Sequence, residues 1–120
     1  RFFCERVSEA RTFAEREGTF DIVLAIGILH HLDDAEARDL FDIARRALRP
    51  GGRLVTLDPC YVTGQSAIAR YLASRDRGEF VRTEPQYRAL AQPALREVKS
   101  TVRHDLLRMP YTHIILECAN

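Results

Sequence analysis

The sequence predicts an α/β fold: two parallel strands bridged by a helix, followed by an antiparallel hairpin. Three observations carry this. Residues 20–26, FDIVLAI, form an almost unbroken apolar run with β-branched Ile22, Val23 and Ile26. A run apolar on both faces suits a parallel strand covered by helices on each side. A second, shorter apolar strand follows at residues 53–57 after one amphipathic helix of about a dozen residues, which makes a βαβ unit with a right-handed crossover. Near the C-terminus, the alternating stretch REVKSTVRHD at 96–105 precedes the apolar run THIILEC at 112–118.

Taken in order, residues 1–7, RFFCERV, read as a short strand, and residues 8–18 as a charged loop with a helical turn ending at Gly18. The strand at 20–26 comes next. Asp33 and Glu36 form an acidic capping box before the helix. Ala37, Leu40, Phe41, Ala44 and Leu48 share its apolar face, while Arg38, Asp39, Asp42, Arg45 and Arg46 fall mostly opposite. Arg45, Arg46 and Arg49 suit the negative end of the helix dipole. Pro50-Gly51-Gly52 stops the helix and turns the chain into the strand at 53–57.

After Asp58-Pro59 the character changes. Residues 61–64 read as a loop, and 65–75 as a helix with Ile68, Tyr71 and Leu72 on one face and Thr63 or Ser66 as its cap. Asp76-Arg77-Gly78 ends it, and 79–82 is an extended link. Thr83 starts another helix, with Gln86 at capping-box distance and Pro85 tolerated in the first turn. That helix reaches about Ala91, where Pro93 blocks it. Residues 107–111 join the two hairpin strands, the second of which is expected to lie inside the sheet.

The 120 residues have room for one domain. With 46% hydrophobic and 29% charged residues the chain is globular rather than disordered. No apolar run approaches the roughly 20 residues of a membrane helix. The net charge of +1 makes no case for nucleic acid. Residues 1–58 carry a net of −2 and 59–108 a net of +4, but the basic residues of the second part are spread singly. Cys4, Cys60 and Cys118 lie far apart, with no zinc spacing. Three free thiols and a cytoplasmic setting follow, with no metal expected.

The segments FDIVLAIGILHHLDD and LRPGGRLVTLDP, joined by one helix, resemble the class I S-adenosylmethionine-dependent methyltransferases. In that family the first segment is the fourth strand with its exit loop, and the second leads into the fifth. The terminal hairpin is similar to the sixth and seventh strands, and RFFCERV to the third. The resemblance implies a Rossmann-like sheet of order 3-2-1-4-5-7-6. It also implies S-adenosylmethionine as cofactor and a small-molecule acceptor.

Family members hold the cofactor with a Gly-rich loop after the first strand and an acid ending the second. The paired glycines of this chain, Gly51-Gly52, belong instead to a helix-to-strand turn. Residues 1–120 are therefore expected to form the C-terminal part of one methyltransferase domain, strands 3 to 7, with the N-terminal half missing. A start at Arg1 within a predicted strand fits such a piece. Alone it is expected to bind the cofactor poorly and to be inactive. Strand 4 would present an open edge, so a homo-oligomer is expected, with strand 4 or strand 3 pairing with a second copy. The alternatives are a fragment of a nicotinamide-dependent Rossmann-like enzyme, which the hairpin argues against, and a non-catalytic self-associating module.

Candidate site residues lie where strands of open α/β sheets end. Ala25, Ile26 and Gly27 would border the cofactor. His30 and His31 are the candidate general bases, with local packing as the alternative for each. The resemblance favours packing, because the pair occurs in members acting on very different substrates. Asp58, Tyr61 and Gln65 are candidate substrate contacts, Asp58 alternatively capping its loop. Arg75, Asp76, Arg77 and Arg82 read as a surface Arg–Asp network before an anion site. Glu5, Arg6 and Val7 fall where family members approach adenine, but match that pattern poorly.

Overall fold

A computed structural model describes residues 18–75 and 79–120. The strand predicted at 1–7, the loop after it, Cys4, Asp76 and Arg77 lie outside the described residues. The elements are β1 (Phe20–Ile26), a 3-10 turn (Leu29–His31), α1 (Asp34–Ala47), β2 (Leu48–Tyr61), α2 (Ala67–Arg75), β3 (Arg82–Thr83), α3 (Glu84–Ala91), β4 (Glu97–Arg103) and β5 (His113–Ala119).

The capping box forms as its spacing requires. Asp33 Oδ1 accepts from the Glu36 amide at 2.9 Å, and Glu36 Oε2 accepts from the Asp33 amide at 3.1 Å. Those bonds satisfy two amides that have no partner within the helix. Ala37, Leu40, Phe41 and Ala44 are buried, as the helical spacing predicts. Ser66, one of the two expected caps, starts α2 by accepting from the Ala69 amide at 3.0 Å. In α3 the Thr83 amide donates to Gln86 Oε1 at 2.9 Å.

The sheet order is β1-β2-β5-β4, with β1 parallel to β2 and β5 antiparallel to both neighbours. That is the order 4-5-7-6 which the resemblance implies for these strands, and β5 is an inner strand as expected. β2 is longer than the predicted 53–57. The helix ends at Ala47, and the chain is extended through Pro50-Gly51-Gly52, with Leu48 opposite Phe20 and a register shift before Ile22. Gly51 takes φ +81°. Gly52 packs so tightly that a Cβ would stand 2.9 Å from the Phe20 carbonyl oxygen.

Among the described residues the helices cover one sheet face. Leu54, Ile114, Leu116 and Cys118 point into it and are buried with Phe41, Tyr87 and Leu90. The opposite face carries Ile22, Leu24 and Ile26, at 59%, 65% and 58% exposure. Val55 and Leu57 lie opposite Leu24 and Ile26 there, with Ile115 beside them. β1 is the outermost described strand on its side of the sheet.

Candidate functional site

The carboxyl ends of β1 and β2 converge, and the residues that follow them form the most polar buried region described. Gly27 leaves β1 at φ +64°, a left-handed conformation that favours glycine. Its amide donates to the Leu57 carbonyl at 2.7 Å, which fixes the exit from the strand. Ala25 is buried on the helix-covered face and Ile26 lies exposed on the other.

The 3-10 turn then presents the two histidines differently. His30 is buried at 5% exposure, and its Nδ1 lies 2.8 Å from Asp58 Oδ1. The His30 amide donates to the same oxygen at 3.2 Å. His31 is exposed, with its ring 4.1 Å from that of His30 between centroids. A Cβ added to Gly27 would stand 3.9 Å from His30 Cε1, so the far edge of the imidazole faces the strand exit.

Asp58 is 1% exposed. Burial raises its pKa above the usual carboxylate range, against the opposing pull of the His30 hydrogen bonds. Its second oxygen, Oδ2, is buried without a hydrogen-bond partner, as is Thr56 Oγ1 two residues earlier on the same face. The backbone of Pro59 is fixed beside them by Tyr87, whose hydroxyl donates to its carbonyl at 2.8 Å. Burial raises the Tyr87 pKa, with the Asp58 charge adding to it, so that hydroxyl stays a donor.

Gln65 holds the loop after β2. Its Oε1 accepts from the Val62 amide at 2.8 Å, and its Nε2 donates to Cys60 O at 3.4 Å and Thr112 Oγ1 at 3.2 Å. Tyr61 is half-buried, with the Arg70 guanidinium 5.3 Å from its ring centre. Cys60 and Cys118 are buried free thiols. Burial pushes their pKa values to about 12 and about 11, so both stay protonated and unreactive.

The structure thus brings together Gly27, His30 and Asp58, with His31 beside His30, whereas Tyr61 meets Arg70 and Gln65 bonds Val62, Cys60 and Thr112. Arg82 corrects the expectation of a surface network. It is 6% exposed and bonds Asp34 and the carbonyls of the histidine loop rather than a neighbouring aspartate. No sequence signal marks this, because its partners lie about fifty positions upstream with no periodic relation to it.

Residues 1–54 match the family model described as a methyltransferase domain. A 57-residue stretch is 44% identical to the hybrid PKS-NRPS synthetase prlS of Fungal sp. (strain NRRL 50135), covering 48% of this chain and 1% of the synthetase. Among solved structures, an O-methyltransferase family protein from Burkholderia thailandensis superposes with a TM-score of 0.66 at 20% identity, over 100% of this chain and 36% of its own. Human N-acetylserotonin methyltransferase in complex with SAM gives 0.65 at 17% identity, over 93% and 33%. Haemonchus contortus phosphoethanolamine N-methyltransferase 2, in complex with phosphomonomethylethanolamine and S-adenosylhomocysteine, gives 0.65 at 12% identity, over 88% and 34%. The chain therefore spans about a third of the length of these structures. The fold is the Rossmann-like one of class I S-adenosylmethionine-dependent methyltransferases. The resemblance is met in sequence over residues 1–54 and in fold over the sheet.

Proposed function

We propose that these residues form the carboxyl-edge part of a methyltransferase site that uses S-adenosylmethionine and methylates a small molecule. The observation that carries the reading is the buried His30–Asp58 pair at the strand exit beside Gly27, on a sheet whose order is that of the family. The antiparallel placement of β5 between β2 and β4 supports it over a nicotinamide-dependent enzyme.

The described residues fit one edge of the cofactor rather than its whole pocket. At Gly27 a Cβ would stand in ordinary contact with His30 Cε1, at 3.9 Å, which sets the imidazole beside the strand exit. Ala25, Ile26 and Gly27 would border the methionine end, and no Gly-rich cradle is present in the sequence. The cofactor, when bound, supplies an electrophilic methyl group. With Asp58 ionised, His30 Nδ1–H donates to Oδ1, which places the imidazole lone pair on Nε2. That nitrogen takes the proton of an acceptor O–H or N–H, and Asp58 stabilises the imidazolium formed. The buried turn holds the ring in one orientation, and positioning supplies much of the rate of an in-line displacement.

Calorimetry on the longest protein that carries these residues tests the reading. Heat with S-adenosylhomocysteine and none with a nicotinamide cofactor is expected, and the reverse overturns it. The 120-residue chain by itself is expected to bind S-adenosylhomocysteine poorly. A second copy is proposed as the partner at the β1 edge, supported by the place of β1 as the outermost described strand on its side of the sheet.

A further inference from the structure

Arg82 sits on the two-residue strand β3, whose pairing with Cys60 and Tyr61 sets it beside the end of β2. An arginine has five N–H donors in a rigid planar fork, and here every one is used. Nη1 donates to Leu29 O at 3.0 Å and to Phe80 O at 3.2 Å. Nη2 donates to Leu32 O at 2.7 Å and to Asp34 Oδ1 at 2.9 Å, and Nε donates to that same oxygen at 3.2 Å. The neighbouring Phe80 amide donates to His30 O at 2.9 Å. Segment 80–82 therefore grips the histidine loop at Leu29, His30, Leu32 and Asp34. A charged group this deeply buried is tolerated only because all its donors are met.

The grip has a geometric consequence for His30. Its amide and its ring both address Asp58 Oδ1, at 3.2 and 2.8 Å. Both bonds require that the backbone of the turn stay at a fixed distance from β2. The turn's own hydrogen bonds, His31 N to Ile28 O and Leu32 N to Leu29 O, fix its internal shape but not that distance. Asp58 pulls the turn from the β2 side, and the arginine fork holds it from the β3 side.

We infer that Arg82 is a positioning residue, which fixes the imidazole of His30 against Asp58 by clasping the loop that carries it. Its meaning for catalysis rests on the proposed role of His30, but its test needs neither cofactor nor substrate. Failure of S-adenosylhomocysteine to bind would therefore leave it standing, and its own failure would leave the methyltransferase reading intact.

The test is nitrogen-15 NMR of the His30 ring and amide in the 120-residue chain and its Arg82→Met, Arg82→Lys and Asp34→Ala variants. The groups to be followed around that ring are Asp58 on β2, His31 on the turn, Asp34 on α1, Arg82 on β3 and Tyr87 on α3. In the wild type the proton is expected on Nδ1, with the His30 amide protected from exchange. In Arg82→Met the tautomer should become mixed, the ring's pH profile should move, and amide protection should fall by about tenfold or more. Arg82→Lys keeps the charge but not the fork, and should restore only part of the protection. A folded Arg82→Met variant with tautomer, pH profile and protection unchanged overturns the inference. Should that variant not fold, Asp34→Ala removes one acceptor of the fork and leaves the Asp33–Glu36 capping box in place. A smaller change in the same direction is then expected, and no change at His30 overturns the inference.

Discussion

Asp58 shows most directly how one residue links stability to chemistry. Its carboxyl accepts twice from His30 through one oxygen, while the other oxygen has no partner. Burial raises its pKa in the folded state, so the native protein binds more protons than the unfolded chain over the interval between the two values. This group's contribution is therefore fully present below the unfolded carboxyl pKa of about 3.9 and is lost as pH rises through the folded value. Wild type should lose stability relative to Asp58→Asn as pH is raised above about 4, read from urea midpoints over the acid-to-neutral range. A pH-independent difference would contradict this account. Gly52 makes a second prediction at this scale. An alanine methyl there would meet the Phe20 carbonyl oxygen at 2.9 Å and the Arg49 carbonyl oxygen at 3.0 Å. Backbone atoms yield little, so Gly52→Ala should cost about 1–3 kcal/mol in denaturant unfolding. Asp58 was legible as a residue at a strand exit, and His30 as one of a pair. Which histidine turns inward was not, because a 3-10 turn of three residues has no periodicity to read.

Elements with strong local signals were legible nearly to their ends. The strand at Phe20–Ile26, the capping box of α1 and the Thr83–Gln86 start of α3 were all readable from spacing. β2 was read too short because Pro-Gly-Gly signals a break, whereas here the extended chain runs through it after a register shift. Two measurements check how α1 is held. Asp33→Ala removes the bond to the Glu36 amide and should cost about 1 kcal/mol. Phe41→Ala empties a fully buried position against β2 and should cost about 3–5 kcal/mol. Equal losses in urea unfolding for the two variants would mean that the helix is held by its end rather than by its face.

At the scale of the sheet, local apolar runs and turns marked where the described strands lie, while their order, β1-β2-β5-β4, was legible only through the family resemblance, because strand spacing does not say which strands pair. What covers the second sheet face was not legible, because apolarity on both sides of a strand does not name its neighbour. The proposed second copy at the β1 edge predicts concentration-dependent association. Size-exclusion chromatography with light scattering should show a mass above that of one chain, and Leu24→Lys should reduce it. A monomer at high concentration in the unaltered protein would remove this proposal. The place of β5 carries one more consequence, for synthesis on the ribosome. β5 is made after β4 yet lies between β4 and β2, so β4 cannot join the sheet when it emerges. Roughly fifty residues separate the end of β2 from the start of β5. At about 5–20 residues per second, the apolar flank of β2 waits several seconds for its partner. Nascent chains stalled between these strands should therefore be the ones that chaperones capture.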